Sequence, residues 1–320
     1  MPSMHAVLLA LVTATYTLAE PLQVINFDFP DPAIIHTEQG YYAFGTQSNG
    51  VLVPVARSDD FASWTLLEGT DALPGPFPAW VQADIPNIWA PDVIQRDDGN
   101  FVLYYSATSS DDNSKHCIGA AVSPSIEGPY TPEANALACP LAEGGAIDAA
   151  GFRDTDGTHY VVYKVDGNSL NGDGTLHPTP ILLQQLDVDA VTPVGGPVQL
   201  IDREDADGPL VEAPSLIVVD GTYYLSFSSN MYDSLLYDVS YATASSVAGP
   251  YTKVGAPDAP LLVSGDGSNV GPLGGPGGAD LLDDGTKIAF HAFIDGQGIG
   301  SGRGVWVSDI QVGGGVITIA

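Results

Sequence analysis

The sequence predicts an all-β fold, a single five-bladed β-propeller with its active site in a central funnel, and two observations carry the prediction. A hairpin signal recurs five times at one period, and no long 3.6-residue apolar periodicity occurs anywhere. The recurring unit is a turn glycine followed by a β-branched and aromatic run: Gly40-YYAFGT, Gly99-NFVLYY, Gly157-THYVVY, Gly221-TYYLSF and Gly285-TKIAFH. Four of these glycines follow Asp directly, the signal of a tight hairpin. Their period of roughly sixty residues suits one four-stranded blade with long loops. A row of separate sandwich domains is the alternative, but sixty residues is small for one, and no Pro- or Ser-rich linker divides the repeats.

Ahead of the first repeat, residues 1–19 read as a secretory signal peptide. The apolar run Ala6 to Val12 is followed by small and polar residues, and Thr17 and Ala19 suit the −3 and −1 positions of a cleavage site. A buried first strand is the other reading; a membrane span needs a longer run. Residues 20–320 then form the propeller domain, and an extracellular location is expected. Cys117 and Cys139, the only cysteines, suit one disulfide in an oxidising compartment or else two unpaired buried thiols. No N-x-Ser/Thr glycosylation site is present.

Charge narrows the partners. The chain carries 39 acidic against 9 basic side chains, a formal charge of −30. Nine cations cannot build a face for a nucleic-acid backbone, and the charge opposes docking on an anionic membrane. It favours a soluble monomer acting on a neutral substrate. Charged residues total only 15% and hydrophobic ones 44%, which is a globular composition.

A short apolar strand precedes each hairpin glycine. Counting back nine residues from each glycine reaches Asp31, Ala90, Asp148, Glu212 and Pro276. Three of five positions are acids, and on first strands they would face one axial cavity. Asp and Glu at strand starts are often turn caps, but capping explains Glu212 poorly, because it lies inside Pro209-Leu-Val-Glu-Ala-Pro-Ser-Leu-Ile. A buried carboxyl there must be paired or held protonated. Two acids with divided roles and a third that tunes them meet the needs of glycoside hydrolysis.

At these residues the sequence resembles glycoside hydrolase family 43, the arabinanase, arabinofuranosidase and β-xylosidase group. The resemblance covers nearly all of residues 20–320. It rests on Asp31-Pro32-Ala33 before a Tyr-Tyr strand, Trp89-Ala90-Pro91-Asp92-Val93, Ala146-Ile147-Asp148 and Val211-Glu212-Ala213-Pro214, in that order. It implies that Asp31 is the general base, Glu212 the general acid, and Asp148 the residue that raises the acid's pKa and orients the sugar. Inversion of configuration is implied as well. Trp89 is either a sugar-stacking or a core aromatic. His291 resembles the histidine that lies beside an axial calcium in many arabinan-acting members, or is a satisfied core histidine. Arg303 resembles a sugar-contacting arginine, or lies on the surface. No cofactor is required for the chemistry, and a structural calcium is the one ion implied. Gly275-Pro276-Gly277-Gly278 departs from the Gly-Pro-Gly-His that arabinanases often show. The expected substrate is a neutral arabinose- or xylose-containing oligo- or polysaccharide, with an arabinofuranosidase or exo-acting arabinanase ahead of an endo-arabinanase or β-xylosidase. A non-catalytic carbohydrate-binding propeller is the reading from another class, and it leaves the three acids without a task.

Overall fold

The computed structural model describes residues 20–320; the segment read as a signal peptide, residues 1–19, lies outside the described residues. Its strands are β1 (Leu22–Ile25), β2 (Ala33–Thr37), β3 (Gly40–Phe44), β4 (Val55–Ser58), β5 (Trp64–Leu66), β6 (Trp89–Gln95), β7 (Phe101–Thr108), β8 (His116–Ser123) and β9 (Thr131–Pro132). They continue as β10 (Ala146–Arg153), β11 (His159–Val165), β12 (Ile181–Leu186), β13 (Val198–Ile201), β14 (Val211–Val219), β15 (Thr222–Ser229), β16 (Asp238–Ala244) and β17 (Thr252–Lys253). The last are β18 (Gly277–Leu281), β19 (Lys287–Phe293), β20 (Arg303–Gly313) and β21 (Val316–Ile319). Helix is confined, among the described residues, to four short 3₁₀ segments. None is long and apolar enough to cross a membrane.

Four blades run outward in chain order, β2-β3-β4-β5, β6-β7-β8-β9, β10-β11-β12-β13 and β14-β15-β16-β17. The fifth runs β18-β19-β20-β1, so the first strand of the chain closes the last blade, while β21 pairs with β20. Each predicted glycine falls at a β-hairpin between the first and second strands of its blade.

Five apolar clusters fill the spaces between neighbouring blades, and the two-residue period of a strand sorts side chains between them. In β7, Leu103 and Tyr105 pack toward the first blade, Val102 and Tyr104 toward the third. In β11, Val161 and Tyr163 pack toward the second blade and Val162 toward the fourth. Because both faces are covered, these strands read as continuous apolar runs rather than as alternating ones.

One backbone device repeats five times on the axis. Asp31, Ala90, Asp148, Ala213 and Gly278 have φ of 51°, 40°, 57°, 51° and 55°, in the left-handed region. Register shifts mark the last four of these positions. The twist turns each amide out of its own sheet, and a side chain of the preceding blade accepts it. Ala90 N–H donates to Thr46 Oγ1, Asp148 to Ser106 Oγ, Ala213 to Asp148 Oδ2, Gly278 to Ser228 Oγ and Asp31 to His291 Nδ1, at 2.8, 3.1, 2.9, 3.0 and 3.1 Å. Deeper on the axis, Asp92 accepts Gly151 N–H and Asp280 accepts Ile34 N–H, both at 2.7 Å.

The ring corrects the nine-residue count. It holds for Asp31, Ala90 and Asp148, but the left-handed residue is Ala213 in the fourth blade and Gly278 in the fifth, because those blades have fewer residues between bulge and hairpin. Glu212 therefore stands one position before the ring. In register it is the counterpart of Trp89, Ile147 and Gly277, since these four pair with Ser228, Ser106, Lys164 and His291 respectively.

Cys117 and Cys139 are disulfide-bonded, with Cα atoms 4.6 Å apart, as one of the two sequence readings expected. The bridge ties β8 to the segment entering the third blade across a separation of 22 residues. Non-reducing peptide mapping should recover this linkage. Replacing both cysteines by serine should lower the free energy of unfolding by about 3 kcal/mol on the loop-closure model. Free thiols in the oxidised protein would contradict the pairing.

Candidate active site

A cavity of about 460 Å³ opens on the axis, and Asp31, Asp148, Glu212, Trp89 and Arg303 all lie in its wall. The structure thus brings together five of the six residues singled out in the sequence. His291 is fully buried behind them.

Asp31 opens the first blade. Its Oδ2 accepts the Thr46 hydroxyl at 2.6 Å, and its Oδ1 lies 3.2 Å from Arg303 Nη1. Burial alone would push this carboxyl up, but the Arg303 guanidinium, then His291 and the Thr46 hydroxyl, outweigh it and hold Asp31 well below the usual carboxylate range. It is therefore ionised at any working pH. Arg303 is not a surface residue: it belongs to the cavity wall, anchors Asp31, and sets its guanidinium 5.0 Å from the centroid of the Tyr232 ring.

Asp148 sits across the blades in a different field. Burial, then the neighbouring Glu212, push its carboxyl up to about 8. Glu212 is buried as the sequence required, and it is paired. Its Oε2 accepts Lys164 Nζ at 2.8 Å and its Oε1 accepts the Tyr237 hydroxyl at 2.9 Å. Lys164 is wholly inaccessible and also lies 3.0 Å from Asp166 Oδ1. Burial would strip its proton, but Glu212, Asp166 and Asp148 outweigh that and hold the ammonium above the ordinary lysine value.

Trp89, one residue before the ring in the register position equivalent to that of Glu212, is 37% exposed. It stacks on His116 with centroids 3.6 Å apart. Burial lowers His116 to about 4, so a neutral ring backs the indole. One face of the indole is thus covered by protein while the residue lines the cavity, which suits a platform for a sugar ring.

His291 has a task the sequence did not suggest. Nδ1 lies 3.1 Å from the Asp31 amide nitrogen, whose hydrogen points at it, and 3.2 Å from Asp31 Oδ1. Burial, then Arg303, lower the ring's basicity and favour a neutral imidazole. Its Nε2 is buried and has no hydrogen-bond partner among the described residues, an orphaned atom of the kind that an axial ion or a water would satisfy. Among the described residues no group of three or more His, Cys, Asp or Glu is spaced to hold a metal ion. The Asp154 turn closes the β10–β11 hairpin through its own backbone and accepts the Tyr223 hydroxyl.

Lys164, Asp166, Tyr237, Thr46 and His116 escaped the sequence reading. Lys164 had left a signal, a cation inside the apolar run Val161-Val-Tyr-Lys-Val. Ser106, Lys164 and Ser228 each lie seven residues after their hairpin glycine, a register that marks them as one set.

A family model described as "Glycosyl hydrolases family 43" matches residues 22–314. An extracellular endo-α-(1→5)-L-arabinanase of Thermotoga petrophila is 31% identical over 140 residues, 41% of this chain and 27% of that protein. The chain thus matches about a quarter of that relative's length. A xylosidase/arabinosidase of Bacteroides ovatus is 27% identical over 206 residues, covering 56% of this chain and 60% of the relative. Among solved structures, a thermostable family-43 glycoside hydrolase superposes with a TM-score of 0.76 at 26% identity, covering 95% of this chain and 96% of that one.

The raised carboxyls make stability depend on pH. Asp148 rises to about 8 and Asp280, buried on the axis, to about 7, both from 3.8. Between those values and 3.8 the folded chain holds protons that the unfolded chain gives up, so stability falls as pH rises from about 4 to about 8. Asp31 acts oppositely, losing its contribution as pH drops below about 4. The thermal midpoint should peak at about pH 4 to 5, and Asp280→Asn should flatten the fall above it. A midpoint rising from pH 5 to pH 8 would contradict this assignment.

Proposed function

The chain belongs to glycosyl hydrolases family 43, and from that premise we propose that it cleaves neutral pentose linkages of plant cell-wall polysaccharides, as an α-L-arabinofuranosidase or exo-acting arabinanase, by an inverting acid–base mechanism. One observation carries the proposal. A single cavity holds Asp31, kept well below the usual carboxylate range, in its first blade, and in its third and fourth Asp148, pushed up to about 8, beside Glu212.

In this reading Glu212 gives its proton to the leaving oxygen as the C1–O bond breaks. Asp31 takes a proton from a water that bonds to C1 from the opposite face. Asp148, which accepts the amide of Ala213 beside Glu212, holds a proton near neutral pH next to that carboxyl. Trp89 offers a face to a sugar ring. Inversion needs no covalent intermediate, only room for the water between acid and base. Endo-arabinanase and β-xylosidase activities are the second reading, favoured by the names of the Thermotoga and Bacteroides relatives. Secretion belongs to the same proposal, supported by the extracellular relative, the disulfide and the apolar run Ala6 to Val12.

A panel of arabino- and xylo-oligosaccharides decides the substrate. Glu212→Gln should cut turnover of natural oligosaccharides by about 100-fold or more, and of aryl glycosides with good leaving groups far less. Asp31→Asn should abolish both, since each needs an activated water. Proton NMR of the first-formed sugar should show the inverted anomer. A retained anomer would falsify the mechanism and make one of these acids a nucleophile.

A further inference from the structure

Four blades place an acceptor where the next blade's left-handed amide needs one: Thr46, Ser106, Ser228 and His291. In the third blade that position is Lys164, which pairs with Ile147 just as Ser106 pairs with Trp89 and Ser228 with Glu212. An ammonium has three donors and no lone pair, so it cannot take the Ala213 amide. Asp148 Oδ2 takes it instead, and Lys164 turns to the residue before, Glu212. Strand parity requires the same outcome, because Lys164 shares the face of Val162 that packs on the fourth blade.

We propose that Lys164 is a positioning residue for the proposed general acid: shared between Asp166 and Glu212, its ammonium fixes the Glu212 carboxyl in the cavity wall and sets the field in which the neighbouring Asp148 gives up its proton. The inference rests on the acid–base reading above and adds a residue to it. A lysine buried for packing alone would need neither carboxylate, and a buried ammonium needs its partners' charges. The groups facing Glu212 are Lys164 and Asp166 from the third blade's second strand and the loop after it, Asp148 from its first, and Tyr237 ahead of β16. Asp31 and His291 face it from the first and fifth blades. Of these only Lys164 is a fixed cation in contact with the acid.

The test uses Lys164→Met, which keeps bulk and removes charge, and Asp166→Asn, which removes the competing anion. Carboxyl carbon NMR of protein labelled at Asp and Glu follows the pair directly. With Lys164→Met, the last proton of the Asp148–Glu212 pair should leave at a pH higher by about 1 to 3 units. With Asp166→Asn it should leave at a lower pH, because Lys164 is then less neutralised. The basic limb of kcat/KM on arabino-oligosaccharides should move in the same directions, while the acid limb stays in place. Turnover of 4-nitrophenyl α-L-arabinofuranoside should fall less than that of the oligosaccharides. Titrations unmoved in both variants, or moved the opposite way, would overturn the proposal and leave Lys164 a packing residue. Should Lys164→Met fail to fold, Asp166→Asn decides alone. Because the titration needs no turnover, it separates this proposal from the acid–base reading, which stands or falls on Glu212→Gln.

Discussion

The constraint on which the rest depends is the satisfaction of five amide hydrogens around the axis. A left-handed residue in each innermost strand turns its N–H sideways, out of its own ladder. Left unpaired in a buried place, such a group costs about 1 to 3 kcal/mol. The preceding blade supplies the acceptor each time, so each blade is fastened to the next through a side chain as well as through main-chain contacts such as Gln47 N–H to the Ile88 carbonyl. The same twist re-aims the adjoining side chains toward the cavity. Bulges do this at many functional sites. Here two acids stand on the ring itself, and the third acid and Trp89 stand one residue before it.

A fivefold device would give five similar environments, and the chemistry needs different ones. The difference comes from which side chain serves as acceptor. His291 caps Asp31 as a neutral ring, leaving Arg303 as the cation that governs the carboxylate. Asp148 is both capped residue and cap, so its carboxyl is drawn toward Glu212 and away from any arginine. Burial then acts with opposite results on the two acids: outweighed at Asp31, reinforced by a like charge at Asp148. The charge of −30 plays no part in this separation; it bears on which polymers approach.

The legible part of the fold was its local part. Asp-Gly turns and continuous apolar runs are properties of adjacent residues, and they marked the five hairpins. The signal in Glu212 was also local, an acid inside an apolar stretch, and the structure pairs it as burial requires. The register between blades was not legible. A bulge adds a residue without announcing it, so one fixed count could not serve blades whose bulge-to-hairpin lengths differ. What Arg303 and Lys164 pair with was opaque for another reason. Their partners, Asp31 and Glu212, are 272 and 48 residues away, and no periodicity relates them.

Closure of the ring ties these threads together. Asp31 belongs to the first blade, yet every group that sets its protonation except Thr46 comes from the last: Arg303 beside the carboxylate and His291 beneath its amide. The last blade is complete only when β1, from the start of the chain, pairs with β20, which begins at Arg303. Phe29 N–H also donates to the Arg303 carbonyl, and the Arg303 amide donates to Asp28. The residues just before Asp31 therefore hold the strand that carries its cation. An open ring would leave Asp31 an ordinary strand-start acid, solvated and unremarkable in its pKa. Closing it buries the carboxylate against a guanidinium that the same closure positions. The contacts farthest apart in sequence thus complete the candidate base, while the acid's surroundings are assembled between consecutive blades three and four.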